Sequence, residues 1–180
     1  GFIAPACTEP GYQVVNGWSP SSRRGRYANS GFVVEVSPAY LASLGLDPAA
    51  PFSGVEAQRR LEAAAYAAGG GAFVAPAQGL RDFVDGRPTE SLPDCSYPRG
   101  LRPAALHEVL GALGPPLRRA LGALEPRMPG FVTNEAIAVG VESRTSCPIR
   151  IVRDASLQSP TLRGLFAMLG QGFKGQPTVA

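Results

Sequence analysis

The chain has 180 residues with 44% hydrophobic and 17% charged content. That excludes a highly charged disordered chain and is enough for one ordinary domain with a sizeable core. No apolar run approaches the roughly 18 residues that a membrane span needs, and the net charge of +3 is weak ground for nucleic acid as a partner.

All but one of the 17 Lys and Arg residues are Arg, Lys174 being the exception. The dense cluster Arg23, Arg24 and Arg26, beside Tyr27, suits a solvated loop or a phosphate contact better than a nucleic-acid face. The cysteines, Cys7, Cys95 and Cys147, form neither a disulfide framework nor a zinc spacing. With His107 as the one histidine, a His/Cys metal cluster is excluded and no metal is expected. The default compartment is reducing and cytoplasmic. The chain opens on Gly1 with no signal-peptide pattern, and the missing Met suggests a processed or excised segment.

In chain order, residues 1–30 read as loops around a short strand at Tyr12–Val15. Phe32–Val36 (FVVEV) is β-branched and aromatic and predicts a strand. Ser37-Pro38 starts a short helix that Gly45 should stop. The clearest element is a helix over about 54–68. Ser53 and Glu56 fit a capping box, Ala57, Leu61, Ala64, Ala65 and Ala68 make an apolar stripe, and Glu56 and Arg60 pair at i,i+4. Gly69–Gly71 follows a helix and precedes a strand, the reverse of a dinucleotide loop, so it reads as a helix C-cap.

Ala72–Ala75 and Leu80–Val84 read as short strands, with a break at Pro76 and a turn at Asp85-Gly86. After a Pro-punctuated loop, Pro103 suits the first turn of a helix whose stripe is Leu106, Val109, Leu110 and Leu113. Pro115-Pro116 opens another, with Leu117, Ala120, Leu121 and Leu124 inward and Arg118 and Arg119 outside. The pair reads as a helical hairpin near 103–125. Residues 136–141 and 149–152 read as strands. The fold class is α+β, a mixed β-sheet with packed helices.

No Walker A, GxSxG or HExxH pattern occurs. His107 reads as a helix-surface or satisfied half-buried histidine, with a general base as the alternative. Two polar constellations stand out. Glu142, Ser143, Arg144, Thr145, Ser146, Cys147 and Pro148 join two apolar strands. An Arg, several hydroxyls and a thiol in one loop suit an anionic or carbonyl-rich ligand, a pyrophosphate or flavin ring included. A hydrogen-bonded loop that caps the sheet fits equally. The second runs Asn16, Gly17, Trp18, Ser19 to Arg24, then Tyr27 to Ser30. Turn chemistry explains it, and so would a stacking surface at Trp18.

Together the two constellations resemble a family of FAD-dependent dehydrogenases, the NAD(FAD)-utilizing type, in its C-terminal part. The ordered matches are VVNGWSPSSRR, ANSGFVVEV, the run SGVEAQRRLEAAAYAAGGGAFVAPAQGLRDFVDGR, SYPRG, PGF at 129–131 and GVESRTSCPIRIVRD. They span about residues 8–166. The resemblance implies a substrate-side domain over 1–166 that shapes the pocket above a flavin, with 167–180 a divergent or truncated glycine-rich tail. The family's FAD fingerprint lies upstream of the segment matched by Phe2-Ile3. The chain is therefore expected to be a fragment that binds FAD weakly or not at all without the remaining FAD-binding part of the parent chain.

At the central motif the family has Glu-Thr-Arg-Thr-Ser-Ser-Pro, so Arg144, Thr145, Ser146 and Pro148 match while Ser143 and Cys147 depart. The resemblance implies that Arg144, Thr145, Ser146, Cys147 and Pro148, with Asn16, Gly17, Ser19 and Asn29, face the cofactor or a small-molecule substrate. The catalytic residues and the substrate are not identified by it, and neither a membrane nor nucleic acid is implied as a partner. One alternative is a non-catalytic binding or interaction module. Another is a hydrolase or transferase using Cys147 or His107, for which no base is placed beside a nucleophile.

Overall fold

A computed structural model describes residues 1–6, 9–144 and 152–166. The chain divides into two units, Gly1–Ser143 and Arg144–Ala180.

The first unit begins with an antiparallel pair, β1 (Phe2–Pro5) and β2 (Val15–Trp18), in the register Phe2 to Trp18 and Pro5 to Val15. The strand expected at Tyr12–Val15 thus starts later, and β1 falls where a loop was expected. Gln13 and Val14 are buried, but their backbone groups serve other partners. Gln13 N–H donates to the Glu62 carbonyl at 3.1 Å, and the Val14 carbonyl accepts from Ala6.

Phe32–Val36 is not a strand. β-propensity is realised through packing on neighbouring strands, and Val33 here is 89% exposed. Among the described residues no ladder partner lies beside the segment.

Helix α1 (Pro38–Ser43) starts as expected: Ser37 Oγ accepts the Tyr40 N–H at 3.2 Å. Gly45 follows with φ +71° and donates to the Ala42 carbonyl.

Helix α2 spans Ser53–Gly69. The capping box does not form. Ser53 lies inside the first turn and its hydroxyl donates to the Asp47 carbonyl. Glu56 reaches Arg60 at 2.9 Å instead. The buried face is Ser53, Ala57, Glu62, Ala65 and Gly69. Ala64, expected inside, is exposed, and a glutamate lies inside that was not expected there. The glycine run ends the helix as expected. Gly70 has φ +86°, and its N–H bonds to Tyr66 and Ala67, the left-handed cap that glycine adopts without a Cβ penalty.

Strand β3 (Ala75–Gly79) is buried along its whole length and is the centre of a three-stranded mixed sheet in the order β4-β3-β5. It runs parallel to β4 (Leu101–Pro103) and antiparallel to β5 (Ile137–Val139). Pro76 does not break it. Its carbonyl accepts from Gly140, and its nitrogen falls outside the 77–79 stretch that pairs with β5.

Leu80–Asp85 is a helix, α3, rather than a strand. Leu80 and Phe83 both enter the core, a spacing of three that a helix satisfies and a strand does not. Gly86 caps it at φ +72°.

Pro103 closes β4 rather than opening a helix. The expected hairpin region is α4 (Leu106–Val109), a 3₁₀ turn at Gly111–Leu113, and α5 (Gly114–Gly122). Leu106, Leu113 and Leu121 are buried, whereas Ala120 is exposed. Arg118 turns partly inward and its Nε donates to the Val84 carbonyl at 3.0 Å.

Among the described residues the core has two clusters. Leu80, Phe83, Leu106 and Leu121 hold the helices on one side. Val15, Ala75 and Tyr97 join the two sheets, with Ile3, Leu101 and Val139 against them. The fold is α+β.

In the second unit, described at Arg144 and 152–166, a turn forms around Asp154. Its Oδ1 accepts from the Ser156 N–H and hydroxyl and from the Gln158 N–H. Those bonds, with the Ser156 hydroxyl the largest cause, hold the carboxyl below its ordinary range. Gln158 bridges to Phe166. The segments 145–151 and 167–180, which include the expected strand at 149–152 in part and the expected tail, lie outside the described residues.

Candidate functional site

The polar constellation at 16–30 and Glu142, the first residue of the other, are neighbours at one edge of the first unit. Val15 N–H donates to the Val141 carbonyl at 2.9 Å, so the start of β2 lies along the segment leaving β5. A Cβ built on Gly31 would stand 3.6 Å from Glu142 Oε2, so the end of the 16–31 stretch also reaches the 142 position. Residues more than a hundred positions apart are thereby neighbours.

Along this edge Asn16, Gly17 and Ser19 are exposed and Asn29 is half-buried. The Asn29 amide donates to the Phe2 carbonyl at 2.8 Å and more weakly to the Trp18 carbonyl at 3.4 Å. It therefore ties the β1–β2 pair to the following loop. Gly17 lies against it: a Cβ there would come 3.1 Å from Asn29 Nδ2. The Gly1 amino group bonds to the Tyr27 carbonyl. Trp18 is half exposed and its ring tilts against Phe2, centroids 5.5 Å apart. Arg26 stacks over Tyr27 at 5.2 Å.

At the other strand, Ser143 is held by α2. Its hydroxyl donates to Glu62 Oε1 at 2.7 Å and its carbonyl accepts from Gln58 Nε2 at 3.3 Å. Arg144, the next residue, is exposed and engaged in an interaction of its own. Thr145, Ser146, Cys147 and Pro148, and Cys7, lie outside the described residues.

Glu62 and Gln58 are the residues that sequence reasoning missed. The available signal was spacing: Gln58, Glu62, Ala65 and Gly69 recur at three to four residues, along the border of the alanine stripe.

His107 is the satisfied half-buried histidine. Gln78 Nε2 lies 2.9 Å from its Nδ1 and also donates to the Arg87 carbonyl at 2.6 Å. Gln78 Oε1 in turn accepts the His107 backbone N–H. Cys95 is a free thiol, bonded by the Tyr97 N–H. Tyr97 donates to the Phe73 carbonyl at 2.6 Å, and burial pushes its phenol up from the ordinary value. Among the described residues no cluster of His, Cys, Asp and Glu could hold a metal, and no helix is long and apolar enough to cross a membrane.

The described residues form no pyrophosphate cradle. The glycine run at 69–71 is spent on a C-cap. The β3–α3 junction does open a helix on Gly79, but its first amides are taken: Gly79 by Thr89, Leu80 by Ala136, Arg81 by Thr133 and Asp82 by Asn134. What the edge of the first unit offers is the half-exposed Trp18 indole and the exposed Asn16 and Ser19 side chains. Such a set can stack on or hydrogen-bond a planar heterocycle.

An uncharacterized protein of Clostridium beijerinckii is 35% identical to this chain over 179 residues. The match takes in 97% of the chain and 33% of the relative, so the chain spans about a third of that relative's length. A family model for the FAD-dependent protein, C-terminal domain-like family matches residues 1–145, from β1 through β5 to the Ser143 anchor. The chain belongs to the family of FAD-dependent protein C-terminal domains.

Proposed function

We propose that this chain is the substrate-side domain of an FAD-dependent oxidoreductase of the dehydrogenase type, and that it shapes the pocket over the flavin ring. The FAD supplies the hydride chemistry when bound. This domain's residues bind and orient. Arg144 holds an anionic substrate group or a flavin oxygen, while Thr145, Ser146, Asn16, Ser19 and Asn29 line the wall with donors and acceptors. Gly17 keeps the backbone close, and Cys147 and Pro148 belong to the same motif as Arg144. The fingerprint that cradles the pyrophosphate belongs to the remaining FAD-binding part of the parent chain. The half-exposed Phe2–Trp18 pair is apolar surface of the kind such a partner covers. A reducing, cytoplasmic setting suits the three unpaired-by-spacing cysteines.

The observation that supports the reading is the Val15–Val141 hydrogen bond, which lays the residue before the constellation at 16–30 against the residue before the one at 142–148, within a chain of an FAD-dependent family. The test is a flavin titration, followed by absorbance and fluorescence. It compares this chain with the same chain joined to the fingerprint-bearing part. The expected result is FAD binding by the joined protein alone, weakened at least about tenfold by Arg144→Ala, roughly the loss of one charge-assisted hydrogen bond. A joined protein that ignores FAD would overturn the reading and leave a non-catalytic interaction module.

A further inference from the structure

Residues 31–36 (GFVVEV) have the composition of a strand and lie in no sheet. No backbone N–H or carbonyl of this run has a hydrogen bond among the described residues. Its side chains face water as well: Phe32 is 43%, Val33 89% and Val36 49% exposed. Phe32 is tied at one point, its ring tilted against Phe131 with centroids 6.2 Å apart. The run is thus held by one side chain and open along its backbone.

An apolar, β-branched run with open donors and acceptors is the template to which another strand adds. Proteins that leave such an edge in water blunt it with lysine, proline or a bulge. Within 31–36 the one charge is Glu35, and the first proline is Pro38, beyond the run. This is the make-up of an edge that is covered rather than blunted. The family is one of C-terminal domains of FAD-dependent proteins, and the chain spans about a third of its relative's length. The run also borders the edge that exposes Phe2 and Trp18. Asn29, two residues before it, donates to the Phe2 and Trp18 carbonyls, and a Cβ on Gly31 would stand 3.6 Å from Glu142 Oε2. A body that covers that edge is in reach of the run. We propose that residues 31–36 dock as an added strand on an open sheet edge in the FAD-binding part of the parent chain, backbone to backbone, with the Val33 side chain packed into that part. The identity of the partner rests on the flavoprotein reading above; the open edge does not.

The test is amide hydrogen exchange followed by mass spectrometry. It compares the dilute 180-residue chain with the same chain joined to its FAD-binding part. Amides 32–36 are expected to exchange at the unprotected rate in the first and at least about tenfold slower in the second, with the β3 amides protected in both. In the joined protein Val33→Asp should return 32–36 to fast exchange and leave β3 protected, since so exposed a side chain takes no part in the packing of the unit. Fast exchange at 32–36 in the joined wild type overturns the proposal. Slow exchange already present in the dilute 180-residue chain also overturns it, because the chain's own residues then cover the run. Slow exchange that comes with concentrating that chain and not with joining overturns it in favour of a second copy. Unchanged protection in a folded Val33→Asp protein overturns it too; if that variant does not fold, the wild-type comparison decides alone. FAD binding with 32–36 unprotected leaves the flavin reading standing and removes the docking. Protection at 32–36 without FAD binding upholds the docking and counts against the flavin reading instead.

Discussion

The Ser143 hydroxyl donates to the buried Glu62 carboxylate at 2.7 Å, across 81 positions of sequence. The partner groups on the two residues differ in what their loss would expose. Ser143→Ala leaves a buried charged acceptor short of a donor, at about 1–3 kcal/mol. Glu62→Gln keeps an acceptor in place and should cost less. Urea denaturation of both single variants and the double should give a coupling energy of about 0.5–3 kcal/mol, as contacting pairs do. Strict additivity would mean that the bond is not formed in solution.

The end of α2 sets a second test. A Cβ on Gly69 would run into the Val74 carbonyl oxygen, a backbone atom that cannot swing away. At Gly70 the obstacle is a flexible Arg102 side chain, and the cost is mainly that of φ +86°. Gly70→Ala should therefore destabilise by about 1–2 kcal/mol, the penalty of the left-handed region for an L-residue. Gly69→Ala should exceed it by about 1–3 kcal/mol as the strand and helix are pushed apart. Equal unfolding midpoints for the two would contradict this account.

The parts of this architecture that the sequence discloses are those written locally. The Ser37 cap, the Gly45 stop and the Gly70 cap depend on residues within one turn of one another, and all three form. Phe32–Val36 and Leu80–Val84 failed for the opposite reason. A five-residue segment is too short to show a period of its own, and its state depends on whether a ladder partner or a core lies beside it. The capping box failed because the N-cap is Phe52: Ser53 already lies inside the first turn, and the Glu56 N–H bonds to the Phe52 carbonyl. The candidate site was half legible. The polar constellations at 16–30 and 142–148 were visible as compositions, but the Val15–Val141 bond beside them is long-range pairing that no single segment encodes. Glu62 was hidden because charge on a helix ordinarily reads as the solvent face.

Asn29 gives a third prediction. Its amide bonds to Phe2 and Trp18 fasten the loop to both strands of the β1–β2 pair. Asn29→Ala should destabilise by about 0.5–1.5 kcal/mol, the net value of an ordinary hydrogen bond, and should speed amide exchange in 2–5 and 15–18 ahead of the α2 amides. A uniform rise in exchange across the unit would show that the bond is not a local fastener. In the protein joined to its FAD-binding part, the same substitution should weaken flavin binding less than Arg144→Ala, since the Asn29 amide is already committed to the backbone.

Glu125 supplies the pH dependence. Its Oε2 accepts the Val132 N–H at 2.8 Å and its Oε1 the Gly130 N–H at 3.0 Å. The Val132 bond and then the Gly130 bond hold the carboxyl below its ordinary range. A folded-state pKa below the unfolded one means that the folded chain favours the carboxylate. The contribution is therefore complete above the ordinary carboxylate range and is lost as the pH falls through the depressed folded value. Glu125→Gln keeps an acceptor but no charge, so it should be less stable than the wild type at neutral pH. The gap in unfolding midpoint should close on acidification through that window, and a gap that stays constant from neutral to acid pH would show that the two backbone bonds do not distinguish carboxylate from amide.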